Sequence, residues 1–337
     1  MTNIINTLVN RKINSCFPIW FMRQAGRYLP EFRNIRLKNT NFIKLCLNSS
    51  LSSEITLQPI KRFNLDAAII FSDILIVPYS LGQQVNFIKD KGPILSKFDL
   101  EEFQRRKDKD FIEKLEPVYK NIRETRTKLE KNKTLISFVG SPWTLIVYMF
   151  GLKKEKNVLD LKKYKEKKKN ISQIMEKITK FILLHIKNQI LAGADIVQIF
   201  DSWAGLLPED DLLEYCYKPN KMIVDYCRIN KIPTICFPKG IKNHYIDFFK
   251  HVNPDGINID YDLDPNWALE NLKGVCLQGG MNPKFLLEDE KTMFKEADKY
   301  LKVFKNYPYI FNLGHGLLPE TNPDKLEKLI NYVRKYR

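Results

Sequence analysis

Short apolar runs rich in β-branched residues recur along this chain, separated by stretches of helical periodicity. That rhythm constrains the fold more than any other feature. The runs lie at residues 18–22, 67–71, 135–139, 196–200, 234–237, 256–259, 275–277 and 309–312. Several are uniformly apolar rather than alternating, as strands covered on both faces of a parallel sheet must be. Residues 171–191 predict a helix with Ile174, Ile178, Phe181, Ile182, His185 and Gln189 along one side, closed by Gly193. A last helix is predicted from Asn322-Pro323, an N-cap followed by proline at the first helical position, to the C-terminus. Eight strands alternating with helices, and no Gly/Ser linker to divide them, predict one α/β domain over residues 1–337, a single (β/α)8 TIM barrel.

A second regularity falls on the same frame. Polar, charged or glycine residues sit at or just after each predicted strand: Arg23, Ser72-Asp73, Gly140-Ser141, Asp201-Ser202, Lys239, Asp260, Gln278-Gly279 and Gly314-His315. In such barrels the loops after the strands share one mouth, which holds the active site. Loops are polar for other reasons too, but three acids and three possible cations around one rim predict a charged cavity.

Composition excludes several classes. With 44% hydrophobic residues the 337-residue chain can bury a large core, so wholesale disorder is excluded. The longest apolar stretches fall far below the ~20 residues of a spanning helix, and the N-terminus has no secretory apolar run. Six scattered cysteines without a C-x-x-C pair predict free thiols in a reducing cytoplasm. No metal-ligand spacing, G-x-G-x-x-G or P-loop sequence occurs, so neither a metal nor a nucleotide cofactor is expected. The net charge of +16 comes largely from lysine runs such as residues 153–156 and 162–169. These read as a solvated surface, with a polyanion-binding face as the competing reading.

Arginine is used differently. Arg23, Arg27, Arg33 and Arg36 place four of the thirteen arginines within fourteen residues. Arg23 and Arg27 flank Gly26, which lets backbone approach a ligand, and guanidinium forks suit carboxylates and phosphates. A surface salt-bridge network is the other reading, with Arg33, near Glu31, its first member. Asp73 ends an apolar strand and is followed by apolar residues, so it must be ion-paired with one of these arginines or functional. His315 lies between two glycines, a ligand-facing context. Tyr148 and Ser202 are ordinary hydrogen-bond donors, and His185, His244 and His251 read as structural or surface residues.

Five blocks, in order, resemble the uroporphyrinogen decarboxylase family: residues 19–31, Phe71-Ser-Asp-Ile-Leu75, residues 140–145 with Tyr148-Met149, residues 198–205, and Asn312-Leu-Gly-His-Gly316. The resemblance runs from about residue 18 to residue 334. It implies a cytoplasmic, cofactor-free (β/α)8 enzyme of haem biosynthesis, typically a homodimer with facing mouths. Such enzymes convert the four acetates of uroporphyrinogen III to methyls, giving coproporphyrinogen III and four CO2. By position, Arg23, Arg27 and Arg36 resemble the carboxylate-binding arginines, with backbone contacts from Gln24, Ala25 and Gly26. Asp73 resembles the residue that holds the pyrrole N–H groups, and Tyr148, Ser202 and His315 the remaining substrate contacts.

The chemistry accounts for those residue types. Losing CO2 from an acetate requires an electron sink, and a pyrrole protonated on carbon supplies one. A carboxylate facing that cation, here Asp73, is the expected catalytic group. Arginines offset the repulsion among the acetates and propionates. Arg23, His315 and a bound water all stand as proton donors, although a guanidinium with a pKa above ~12 is a poor acid. The chain departs from the family pattern at Tyr79, Pro238 and Gly280, predicted to lie at the rim or behind it. Two competing functions remain open here: a zinc-dependent methyltransferase of the same superfamily, with Cys236 and Cys276 as candidate ligands, and a non-catalytic polyanion-binding protein.

Overall fold

The structure, a computed structural model, describes residues 1–88, 92–154 and 157–336. Seven of the predicted runs form one curled parallel sheet: β1 (Ala67–Ile69), β2 (Thr134–Gly140), β3 (Ile196–Asp201), β4 (Thr234–Pro238), β5 (Gly256–Ile259), β6 (Cys276–Gly279) and β7 (Tyr309–Ile310). Each strand pairs in parallel with the next in sequence. The intervening helices make the crossovers that parallel neighbours require.

Side chains alternate between two cores, as the period of a strand dictates. One face of the sheet, with Ile69, Ile136, Ile196, Ile235, Phe237, Cys276 and Ile310, forms a single buried cluster inside the barrel. Ile4 and Leu8 of the N-terminal helix Asn3–Val9 join it and plug the closed end. The other face, with Leu135, Val197, Ile199, Cys236, Ile257, Ile259 and Leu277, packs under the helical layer. Strands buried on both sides explain why their sequences are apolar throughout. Each fully buried aliphatic side chain contributes about 1.5–3 kcal/mol of transfer free energy.

The predicted first strand behaves differently. Residues 18–22 make only one bridge to the sheet, Ile19 to Phe311. Even so, they close the barrel: the Phe311 N–H donates to the Pro18 carbonyl at 2.9 Å, and the Asp66 N–H to the Ile19 carbonyl at 3.0 Å. The Ile19 N–H is taken by the Asp66 carboxylate at 2.9 Å rather than by a strand carbonyl. Pro18 has no N–H to give, so a regular ladder cannot run through this segment.

The helix Leu161–Leu191 buries Ile174, Ile178, Phe181, Ile182, His185 and Gln189, the side predicted for it, but begins ten residues early. There Asp160 accepts the Lys163 N–H and caps it. Asn322 caps the last helix, Pro323–Lys335. A two-stranded antiparallel pair, Val85–Ile88 with Gly92–Leu95, was not predicted. Among the described residues, no helix is long and apolar enough to cross a membrane.

Candidate active site

Inside the barrel the apolar plug gives way to a layer of amides. The Trp20 indole N–H donates to the Gln278 Oε1 at 2.8 Å, and the Gln278 amide donates to Asn258 at 2.8 Å and to Gln198 at 3.3 Å. Trp20, Gln198, Asn258 and Gln278 come from four staves of the barrel, so the layer ties the staves together beneath the mouth. Towards the open end, Phe138 and Phe200 pack edge to face at 5.7 Å and keep some accessible surface.

Asp73 follows β1 on a short turn. Its Oδ1 accepts the Leu75 N–H at 2.8 Å, and its carbonyl accepts the Ile76 N–H as the helix Ile76–Ser80 starts. Upstream, the Phe71 N–H donates to the Thr56 hydroxyl, and the Phe71 carbonyl accepts from the Asn121 amide, which fixes the strand end. Among the described residues no cation lies within ion-pair distance of Asp73, so the ion-pair reading of this acid falls away. Burial raises its pKa to about 6, and the Leu75 N–H and the Arg23 charge limit the rise. Asp73 therefore stands half-buried at the mouth, mostly ionised at neutral pH, and among the described residues nothing donates to its second oxygen.

Arg23 occupies a backbone conformation rare for a side-chain-bearing residue, with φ of +61°. Two glycines make room for it. A Cβ on Gly26 would lie 2.9 Å from the Arg23 carbonyl, and one on Gly316 would lie 2.4 Å from the Arg23 Cδ. Gly26 thus serves the turn as well as any ligand. The guanidinium has no hydrogen-bonding partner among the described residues, yet its charge acts on Asp73, Tyr148, Lys239 and His315 together. His315 is pushed down to about 3, first by burial and then by Lys239 and Arg23. It is a neutral imidazole at working pH, which removes its imidazolium from the candidate proton donors.

Tyr148, half-buried, packs its ring edge to face on Trp203 at 5.9 Å, and Ser202 precedes that tryptophan at the end of β3. Burial raises the Tyr148 pKa, so its hydroxyl stays protonated. Gln24 is fully buried and entirely engaged. Its side chain accepts the Phe21 N–H and donates to the Ala67 carbonyl, both at 3.0 Å, while its N–H and carbonyl bind Phe21 and the Tyr28 hydroxyl. It is a strut of the seam and has no backbone group left for a ligand. The N–H groups of Ala25 and Gly26 have no acceptor among the described residues. Arg27 is exposed, and its charge acts on Arg36, which leans over the Phe42 ring at 5.6 Å. Arg23 is exposed like Arg27, and Arg36 is half-buried. Arg33 donates to the carbonyls of Arg27 and Tyr28, while Glu31 pairs with Arg62 at 3.4 Å, so the expected Arg33 pair does not form.

Of the three predicted rim acids, only Asp73 remains available. Asp201 falls on the outward parity of β3, where Ser141, Thr144 and Asn220 all donate to it within 3.0 Å. Asp260 accepts from the Gly240 and Asp262 N–H groups and the Tyr245 hydroxyl. Both acids are anchors, and strand parity from Ile196 onward would have separated Asp201 from the mouth. The same parity, extended from Ile136 and Ile196, finds Phe138 and Phe200, which sequence reasoning missed. Pro238 and Gly280 are buried, and Gly280 lies against the Tyr300 ring, while Tyr79 packs on the outer core; none of the three lines the mouth.

The competing donor sets disperse. Cys236 belongs to the outer core and Cys276 to the inner one, so they cannot share an ion. No three His, Cys, Asp or Glu side chains converge among the described residues. In the lysine-rich stretch, Lys154 pairs with Asp160 and Lys168 with Asp211, and Lys163 binds the Gly151 carbonyl. Lys156, part of the predicted run, lies outside the described residues. Acids thus interrupt this lysine-rich face at Asp160 and Asp211.

Comparisons with known proteins bear on the family and the fold. The uroporphyrinogen decarboxylase (URO-D) family matches residues 2–336. The chain is 43% identical to a uroporphyrinogen decarboxylase of Orientia tsutsugamushi (strain Ikeda), over 100% of this chain and 99% of that one. It is 40% identical to one from Rickettsia bellii, covering 97% of each. Among solved structures, a methyltransferase from Methanosarcina mazei superposes with a TM-score of 0.79 at 14% identity, over 98% of this chain and 96% of that one. A B12-independent methionine synthase from Shewanella gives 0.55 at 12% identity, covering 85% of each. At these identities the two structures speak for the barrel fold alone.

Proposed function

Because the chain belongs to the uroporphyrinogen decarboxylase family, and is thereby a carboxy-lyase of porphyrin biosynthesis, we propose that this mouth removes the acetate carboxylates of uroporphyrinogen III, with Asp73 as the catalytic carboxylate. The observation that carries the assignment is the half-buried Asp73, one oxygen of which has no donor among the described residues, in a mouth that also holds Arg23, Tyr148 and His315.

The steps follow from the substrate. A proton adds to a pyrrole carbon beside the acetate arm and leaves the ring cationic. The bond between the acetate CH2 and its carboxylate breaks, CO2 departs, and the electron pair moves into the ring to neutralise it. A second proton converts the exocyclic CH2 to methyl as the ring carbon gives up the first. Asp73 accepts the pyrrole N–H groups and stabilises the cation, and a preorganised charge in a water-poor site can lower such a barrier by several kcal/mol. Arg23 balances the carboxylates nearest Asp73, and Arg27 and Arg36 hold other arms. Ala25 and Gly26 supply backbone donors, and Tyr148, Ser202 and neutral His315 orient the macrocycle. Gln24 supports the loop from behind. No step is assigned to a cofactor. With His315 neutral, Arg23 and a bound water are the proton donors that remain.

The reading includes one barrel unit over residues 1–337, a cytoplasmic setting and a homodimer with facing mouths. Light scattering on a size-exclusion column tests the last, with a mass of about twice 39.7 kDa expected. The function itself is tested by anaerobic incubation with uroporphyrinogen III, resolving products by number of carboxylates. Stepwise loss from eight to four is expected; unchanged octacarboxylate defeats the reading.

A further inference from the structure

Among the described residues, Lys239 is a cation at the rim to which neither the mechanism above nor the family resemblance gives a task. It follows β4 and its backbone is clamped on both sides. Its N–H donates to the Asp201 carbonyl at 3.1 Å, and its own carbonyl accepts the Gly205 N–H at 2.9 Å. Gly205 and Gly240 then meet so closely that a Cβ on Gly205 would lie 2.5 Å from the Gly240 carbonyl oxygen. This holds the Lys239 Cα in place on the barrel rim, unlike a lysine on a free surface loop.

The side chain is half-buried, and its ammonium lies 5.7 Å from the Tyr261 ring. Among the described residues no carboxylate comes within 4 Å of it, and the ammonium makes no hydrogen bond. The nearest buried acid, Asp260, is already engaged by Gly240, Asp262 and Tyr245. Burial holds the Lys239 pKa below the usual lysine range, and Arg23 adds to that against the pull of Asp260 and Asp262. Its charge in turn acts on His315. A half-buried ammonium that no carboxylate or carbonyl of the described residues engages is placed to take an incoming anion.

We propose that the Lys239 ammonium is a further substrate-binding group of this mouth, holding a carboxylate arm of the tetrapyrrole other than the acetate being lost. The assignment rests on the functional reading above. Lys239 follows β4 and Asp73 follows β1, with two strands of the sheet between them, so the two groups stand apart around the rim, where the arm of a neighbouring pyrrole falls. An interaction made equally in the ground and transition states changes KM and leaves kcat alone.

The test is anaerobic steady-state kinetics on uroporphyrinogen III with Lys239→Met and Lys239→Arg, each checked by thermal melting. Lys239→Met is expected to raise KM about tenfold, the scale of one lost charge-assisted hydrogen bond, with kcat changed less than about twofold. Lys239→Arg should restore most of the affinity, which a purely structural role would not produce. Inhibition by the tetracarboxylic product separates the two sources of the arm. Weaker inhibition of Lys239→Met identifies a propionate, the only kind the product retains; unchanged inhibition alongside the raised KM identifies an acetate. An unchanged KM in folded Lys239→Met overturns the proposal. Should that variant not fold, equal KM values for Lys239→Gln and Lys239→Arg overturn it equally. Failure of the underlying reading shows separately, as a wild type that leaves uroporphyrinogen untouched, and takes this proposal with it.

Discussion

At the residue scale, Asp73 combines two properties that seldom go together, a largely desolvated carboxylate and, among the described residues, no ion-paired partner. Its raised pKa sets the sign of two effects. Below about 6 the carboxyl is protonated and cannot stabilise a ring cation, so kcat/KM should fall on the acid side with an apparent pKa about 6, measured in anaerobic pH–rate profiles. For stability the direction is opposite. The folded pKa lies above the unfolded one, so ionising Asp73 costs folding free energy between about pH 4 and 6. That cost is fully present above the window and is relieved as the pH falls through it. Asp73→Asn should therefore lower kcat/KM at least about a hundredfold while the melting temperature at neutral pH stays level or rises. Near-normal turnover removes Asp73 from its role. Gly316→Ala tests Arg23 from behind: the added methyl must displace the Arg23 side chain, so kcat/KM for uroporphyrinogen should drop about tenfold in a folded protein.

At the element scale, the weak point of the barrel is its seam. Seven staves are joined by regular parallel pairing, whereas residues 18–22 are held by scattered backbone bonds and by the side chains of Gln24, Asp66 and Asn312. Arg23 grows directly out of that segment, which couples closure of the barrel to the geometry of the site. Asp66→Ala leaves the Ile19 N–H without its acceptor and should cost about 1–3 kcal/mol in urea unfolding, with a larger loss of activity than of structure. A stability change below about 0.3 kcal/mol would show that the backbone bonds alone hold the seam.

At the scale of the whole molecule, the +16 net charge and the arginine-lined mouth face a substrate that carries only carboxylates. Such a field raises encounter rates and is screened by salt over about 8 Å at physiological ionic strength. Turnover at low substrate should therefore slow several-fold between about 50 and 300 mM salt, with little change at saturation. Salt-independent kcat/KM would mean that the lysine-rich surface contributes nothing to capture.

Seven strands and the core-facing side of the helix over residues 171–191 were legible in the sequence because hydrophobic period and turn residues are local signals, whereas the first ten residues of that helix, started by the Asp160 cap, were not. Local rules also placed Asp73 and His315 after strands. They did not separate Asp73 from Asp201 and Asp260, since all three acids follow apolar runs; only the packed barrel shows that two of them are fully occupied as hydrogen-bond acceptors. Nor did they show that Gln24 braces the loop, that the first stave is joined through Asp66, or that His315 is neutral. Those outcomes depend on which groups from distant parts of the chain meet once water is excluded, and neither periodicity nor composition carries that information. The sequence by itself determined the sheet, its order and the residues available for chemistry. The tertiary structure decided which of those residues keep an unsatisfied charge, because hydrogen-bond satisfaction and desolvation are settled only when the staves close around one mouth.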